Sequence, residues 1–175
     1  MTPSVTNSAI LTAVRAFLLN VLPSGVEVFK GQANLVPEPI NPDYVVMTPL
    51  YRKRLATDLQ AWDGTASQTF TEPLQMTIQL DIHGEQGNDN AQVIALLWRS
   101  QYAVEFMATN GYAIRPLYAD DGNQVPFING ENQYEDRWTF NIHLQANPAV
   151  STPQQFADTL TAGLIEVDAE YPPGA

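Results

Sequence analysis

The sequence predicts an α+β domain: a mostly antiparallel sheet with an N-terminal helix and a central helix packed on one face. Two stretches, Leu74 to His83 and Arg137 to Ala146, alternate apolar and polar residues with the period of a strand. Two others repeat apolar residues every three or four positions, one near the N-terminus and one after Asn88. The order helix, strands, helix, strands suits a sheet that keeps its helices on one side.

The first helix follows the polar N-cap candidates Thr6, Asn7 and Ser8. Its stripe is Ile10, Val14, Phe17, Leu18 and Val21, and it stops before Pro23 and Gly25. Val26 to Lys30 reads as a short strand. Residues 31–42 hold three prolines and read as a loop or extended arm. Tyr44 to Leu55 reads as a long strand. Pro49 within it cannot donate to a ladder, so the strand should lie at an edge or carry a bulge. The following segment around Asp63-Gly64 reads as a loop.

In Leu74 to His83, the residues Leu74, Met76, Ile78, Leu80 and Ile82 form an apolar face, and the alternate residues form a solvated polar one. Asn88 or Asp89 can cap the next helix. That helix has a core stripe of Val93, Leu96, Leu97, Ala103, Val104 and Met107, with Gly111 as its C′ residue. Ile114 to Tyr118 is a strand, and Asp120-Asp121-Gly122 reads as a hairpin turn. In Arg137 to Ala146 the inward residues are Trp138, Phe140, Ile142 and Leu144. Thr152-Pro153-Gln154-Gln155 reads as a helix start, the helix ending near Gly163. A last strand at Ile165 to Val167 precedes a Pro-rich tail, about 168–175.

At 175 residues the chain fits a single domain with one hydrophobic core. It carries 19 acidic and 8 basic residues, a net charge of −11, which argues against a general nucleic-acid binder. An acidic wall would instead repel a passing phosphate backbone and keep it moving. There is no cysteine, so no disulfide framework or thiolate metal site is expected. The N-terminus lacks the pattern of a signal peptide, and no apolar run is long enough for a membrane span, which predicts a soluble protein.

Chemistry-bearing motifs are few. Asp81 and His83 lie two apart on one strand face, and with His143 they are the candidates for a metal site or a small metal-dependent hydrolase. The plainer reading is a polar strand face. Gly84 to Asp89 sits where phosphate loops occur but lacks the P-loop Lys and Ser/Thr, so it reads as a β–α turn. Asp120 to Asn123 lacks the spacing of a calcium loop. No catalytic motif and no cofactor motif is found, so no enzyme activity is expected.

Arg52-Lys53-Arg54 gathers three of the eight basic residues in consecutive positions. On an extended strand Arg52 and Arg54 share one side and Lys53 takes the other. Such a cluster reads equally as a solvated strand end or as a contact with an acidic surface on a second copy or a partner. On a copy, Glu131, Glu135 and Asp136 ahead of Arg137 are the matching group; a DNA contact ranks third.

Several phrases, in order along most of the chain, resemble one family. They are Tyr44-Val45-Val46-Met47-Thr48-Pro49-Leu50 running into Arg52-Lys53-Arg54-Leu55-Ala56-Thr57, then Gln79-Leu80-Asp81-Ile82-His83-Gly84 and Ala95-Leu96-Leu97-Trp98-Arg99-Ser100 with Tyr102-Ala103. Arg115-Pro116-Leu117-Tyr118-Ala119-Asp120-Asp121 follows, and last Phe127-Ile128-Asn129-Gly130-Glu131 with Gln133-Tyr134 and Arg137-Trp138. The chain resembles the neck or tail terminator proteins of tailed phages.

The resemblance implies a structural virion protein: a ring-forming subunit, six-fold, on the tail tube beneath the head connector. Its implied partners are further copies of itself, the tail tube protein, the connector or adaptor and the tail sheath. Genomic DNA would pass through its lumen without sequence-specific binding. It would sit in the virion neck or tail, and in the host cytoplasm during assembly. A portal-side adaptor or stopper is the nearest alternative.

Overall fold

Thr6 caps the first helix, α1 (Asn7–Val21), by accepting the Ala9 backbone N–H at 3.1 Å. The helix buries Ile10, Leu11, Ala13, Val14, Phe17 and Leu18 against the sheet, as its spacing predicts. In this computed structural model the described residues are 1–33, 39–128, 130, 132–154 and 162–163.

Strand β1 (Glu27–Lys30) runs parallel to the start of β2 (Tyr44–Arg54), in register from Glu27 with Tyr44 to Lys30 with Met47. Beyond Met47, β2 has no strand on that side among the described residues, and its ladder shifts register between Pro49 and Tyr51. Both alternatives that Pro49 posed are therefore realised. The proline sits on an open edge and beside a bulge, where its missing N–H costs no ladder bond.

The segment read as a loop after β2 is instead a hairpin, β3 (Leu59–Trp62) and β4 (Ser67–Thr71). Asp63 forms its turn, with Oδ1 accepting the N–H groups of Thr65, Ala66 and Ser67 at 2.8, 3.1 and 3.1 Å. Those bonds, led by Thr65 and Ser67, hold the exposed Asp63 carboxyl down at about 2.

Strand β5 (Leu74–His83) lies at the centre and pairs antiparallel with β2. Gly84 then turns at φ 104°, and a Cβ there would come within 2.8 Å of the Pro42 carbonyl. The helix that follows is two helices, α2 (Gly87–Trp98) and α3 (Gln101–Thr109), not the single one expected. Ser100 is extended, and its hydroxyl donates back to the Leu97 carbonyl at 2.7 Å, which ends the first helix. The break rotates the inward stripe to Ala91, Ile94 and Trp98, then Ala103 and Met107. Leu96 is 68% exposed and Val93 faces outward, while Leu97 and Val104 are half-buried. The N-cap is Gln86 without a side-chain bond, rather than Asn88 or Asp89. Gly111 closes α3 as expected. With φ 69°, it donates to the Ala108 carbonyl and Tyr112 donates to Met107, a Schellman arrangement.

Strand β6 (Ile114–Ala119) is followed by β7 (Asn123–Gln124), then by a small hairpin of β8 (Phe127–Ile128) and β9 (Tyr134–Glu135). Strand β10 (Arg137–Ala146) pairs with β5 on one side and with both β6 and β7 on the other. The chain thus does not reverse at Asp120-Asp121-Gly122. It loops out and rejoins the same strand, with Ala119 opposite Ile142 and Asn123 opposite Thr139.

Strand β11 (Ala149–Pro153) pairs with β4, giving a second sheet in the order β11-β4-β3 beside the main order β1-β2-β5-β10-β6. Thr152 and Pro153 are therefore strand residues, not a helix start, because β4 offers them a ladder. The rest of that expected helix, residues 155–161, lies outside the described residues, as do the strand at 165–167 and the tail at 168–175.

The core lies between the helices and one face of the main sheet. Leu74, Met76, Ile78, Leu80 and Ile82 meet Phe140, Ile142 and Leu144 there, all buried, with Trp138 half-buried at the margin. Trp98 packs edge-on to Phe17 at 5.2 Å and donates its indole N–H to the His143 carbonyl at 3.1 Å. No helix among the described residues is long and apolar enough to cross a membrane.

Candidate subunit interface and the buried polar face

The opposite face of the main sheet was expected to be solvated, yet Thr77, Asp81, His83 and His143 on it are all buried. They lie on the two innermost strands, flanked by β2 on one side and β6 on the other, with Tyr44 and Phe127 against His83 and Tyr118 stacked on His143. Burying such groups is tolerable only when they are hydrogen-bonded, and each of them is.

Asp81 accepts two bonds on Oδ1 from Arg137, at 3.1 Å from Nε and 2.7 Å from Nη2, and further bonds from Gln79. His83 Nδ1 lies 2.8 Å from Glu135 Oε1, with its ring stacked on Tyr44 at 4.4 Å and capped edge-on by Phe127 at 5.1 Å. Burial pulls the His83 imidazole below its ordinary value, and the Glu135 carboxylate opposes that only in part. Burial also pushes the Tyr44 hydroxyl up to about 12, helped by the Glu135 charge and its hydrogen bond.

His143 pairs in register with Thr77, not with Asp81, so the three groups weighed as a metal site do not converge. No cluster of three metal-ligating side chains occurs among the described residues. His143 instead forms a relay. Its Nε2 faces Asp120 Oδ1 at 3.2 Å, and its Nδ1 faces Gln75 Nε2 at 2.9 Å and Thr77 Oγ1 at 3.0 Å. A carboxylate cannot donate, so Nε2 carries the proton and Nδ1 accepts. Burial alone would raise Asp120, but bonds from Asn141 and His143 bring its carboxyl below the usual range. Hydroxyl, imidazole and carboxylate in line have the order of a nucleophilic triad. Thr77 is 0% exposed, however, so no substrate carbonyl can reach its oxygen. The relay holds strands together.

Arg52, Lys53 and Arg54 are exposed on the stretch of β2 beyond β1. Arg52 lies opposite Met76 and Arg54 opposite Leu74, on the helix side, while Lys53 lies opposite Gln75 on the polar side. The expected split of the cluster is therefore present. Arg54 approaches Asp58 at 4.0 Å and Glu72 at 3.8 Å, exposed pairs of little energetic weight. Glu131 lies outside the described residues. Glu135 and Arg137 already have the internal partners His83 and Asp81, and they sit at the opposite end of β5 from the basic cluster.

Strand alternation alone does not reveal the polar network. A signal was present: the alternate residues Gln75, Thr77, Gln79, Asp81 and His83 include no Lys and no Glu, the residues least often buried. The turns of the chain were more legible. Gly84 to Asp89 is a plain β–α turn in which Gly87 donates to the Gly84 carbonyl at 2.9 Å.

These features define an α+β domain with helices on one face of a mainly antiparallel sheet and a self-satisfied polar face on the other. A family model described as phage neck terminator protein matches residues 8–170, and the chain belongs to that family. In fold it is similar to a sheath/tube terminator of an extracellular contractile injection system, PVC, in the extended state. That likeness has a TM-score of 0.48 at 10% identity, over 97% of this chain and 66% of the other. The chain thus spans just under two thirds of that protein's length. No curated protein matches the sequence.

Proposed function

We propose that this chain is a non-catalytic structural subunit that ends the tail tube in the phage neck, forming a ring of six copies that docks the head connector. Membership of the neck terminator family over residues 8–170 carries this reading. The molecule's physics supports it. A ring needs heterologous contacts that close on themselves, and the chain offers an open, charged strand edge for one side of such a contact. Its net charge of −11 suits a lumen through which DNA slides. The groups that raised a hydrolase reading, Asp81 and His83, are each engaged by a separate internal partner.

The boundary between copies is assigned to Arg52, Lys53 and Arg54. The tube protein, the connector and the sheath are the further partners on this reading, and the virion neck is its location. The test is deletion of the gene from an otherwise complete phage. Tubes of uncontrolled length without attached heads are expected, and tails of normal length joined to heads would overturn the proposal. Imaging the neck of the intact particle then reads the symmetry directly, and any ring without six copies refutes that part.

A further inference from the structure

We propose that the open edge of β2, Tyr51 to Arg54, receives residues 165–171 of a second copy of this chain as an added strand. The inference rests on the ring reading above and names the contact that links its neighbours.

The edge is open on one side of the sheet and closed on the other. Gly31 donates to the Met47 carbonyl at 2.8 Å, and after that β2 has no outer strand among the described residues. Strand β6, at the far edge, is guarded. Arg99 Nε donates to the Ala119 carbonyl at 2.9 Å, Arg115 Nη1 donates to the Ile114 carbonyl at 2.7 Å, and Pro116 has no N–H to offer. At the near edge, Arg15 Nε donates to the Val28 carbonyl of the four-residue β1 at 3.1 Å, and past the end of β1 the run Tyr51 to Arg54 of β2 has no outer strand among the described residues. Tyr51 is 56% exposed there, and Arg52, Lys53 and Arg54 are exposed with it.

Charge decides which strand fits. Pro49 and the adjacent bulge confine pairing to the short run after them, and three consecutive cations disfavour a basic or neutral apolar strand. The sequence holds a complement in Ile165-Glu166-Val167-Asp168-Ala169-Glu170-Tyr171. As an extended strand it places Glu166, Asp168 and Glu170 on one side and Ile165, Val167, Ala169 and Tyr171 on the other. The acidic side then lies beside Arg52 and Arg54, and the apolar side beside Tyr51 and the stem of Lys53. Main-chain bonds would supply the affinity and this charge match the selectivity.

The ring reading selects a neighbour over the same chain. Strand β11 ends with Pro153 beside Ser67, at the turn end of the β3–β4 hairpin. The junction of that hairpin with β2 is at its other end, where Leu55 donates to the Pro73 carbonyl. Gln154 thus lies at the hairpin end away from the β2 junction, donating to the Ala66 carbonyl at 2.8 Å. From Gln154 to Ile165 an extended chain reaches about 35 Å, a span that leaves both its own edge and a neighbour's accessible, so cross-linking must tell them apart.

The absence of cysteine allows a direct test. Two full-length populations are prepared, one Lys53→Cys and the other with a cysteine at one of residues 166 to 170 in turn, then mixed and assembled on tail tubes. Disulfide-linked pairs joining the two populations are expected at one or two neighbouring positions. Separately, R52E with R54E should lower ring assembly at least about tenfold, the effect of roughly 1.4 kcal/mol. Adding E166K, D168K and E170K to that chain should restore it. If native rings form but no cross-link appears and the charge-reversed chain assembles normally, the inference fails while the ring reading stands. A third population carries both cysteines in one chain, and cross-linking confined to that chain, with none between the two singly substituted populations, overturns the exchange between copies. If the native protein forms no ring on the tube, both readings fall.

Discussion

His83 and Glu135, 52 residues apart in sequence, share a 2.8 Å hydrogen bond that ties the end of the central strand β5 to the β8–β9 hairpin. The bond uses His83 Nδ1, and the ring is sandwiched between Tyr44 and Phe127. A buried, neutral imidazole at this junction makes the fold sensitive to acid. A second buried histidine, His143, holds the other half of the same sheet face through Asp120 and Thr77.

Stability should therefore fall as pH drops below about 6.5, the ordinary histidine value. Folding lowers the His83 value, so the unfolded chain takes up the proton first and gains as pH decreases. Its contribution is complete above that pH and is lost toward the lower, folded value. Asp120, also lowered, adds a loss in the same direction at more acid pH. Thermal unfolding from pH 7.5 to 5.0 should show a falling Tm, with a shallower slope for His83→Asn. An unchanged slope in the variant would contradict the assignment.

Asp81→Ala should destabilise the subunit by about 1–3 kcal/mol, since it leaves a part-buried Arg137 without its acceptor. On the solvated strand face that alternation alone suggests, the same change would be nearly neutral. Combining it with Arg137→Met should recover part of the loss, because the second change removes the stranded charge. The denaturant midpoint measures both, and additive losses would show that the pair is not coupled.

Phe140→Ala should cost about 3–5 kcal/mol through lost burial and a residual cavity. Leu96→Ala, on the outward side of α2, should change stability by less than about 0.5 kcal/mol. The contrast tests which side of α2 faces the core. Comparable losses at the two sites would restore the stripe that the spacing alone suggested.

Gly111→Ala should cost about 1 kcal/mol, since φ 69° places a Cβ against the local backbone while nothing else lies within 4 Å. Unfolding of the purified chain measures it. A neutral result would mean that α3 can end in another conformation.

What the sequence alone determined are features set by near neighbours. Thr6 caps α1 because its acceptor lies three residues from the donor, and Gly111 ends α3 because only glycine adopts that φ freely. Alternation placed β5 and β10, and the missing N–H of Pro49 located both the bulge and the open edge of β2.

Tertiary structure decided the rest. Leu59 to Thr71 carries only a weak strand pattern, and it becomes two strands because β11, far along the chain, completes their sheet. The helix break at Ser100 moved Leu96 outward, which continuous spacing could not show. Most of all, alternation told that Asp81, His83 and His143 share the polar face, but not that this face is buried. Burial depended on which strands lie alongside and which carboxylate or guanidinium arrives from elsewhere. Such pairings cross tens of residues, so no local spacing encodes them.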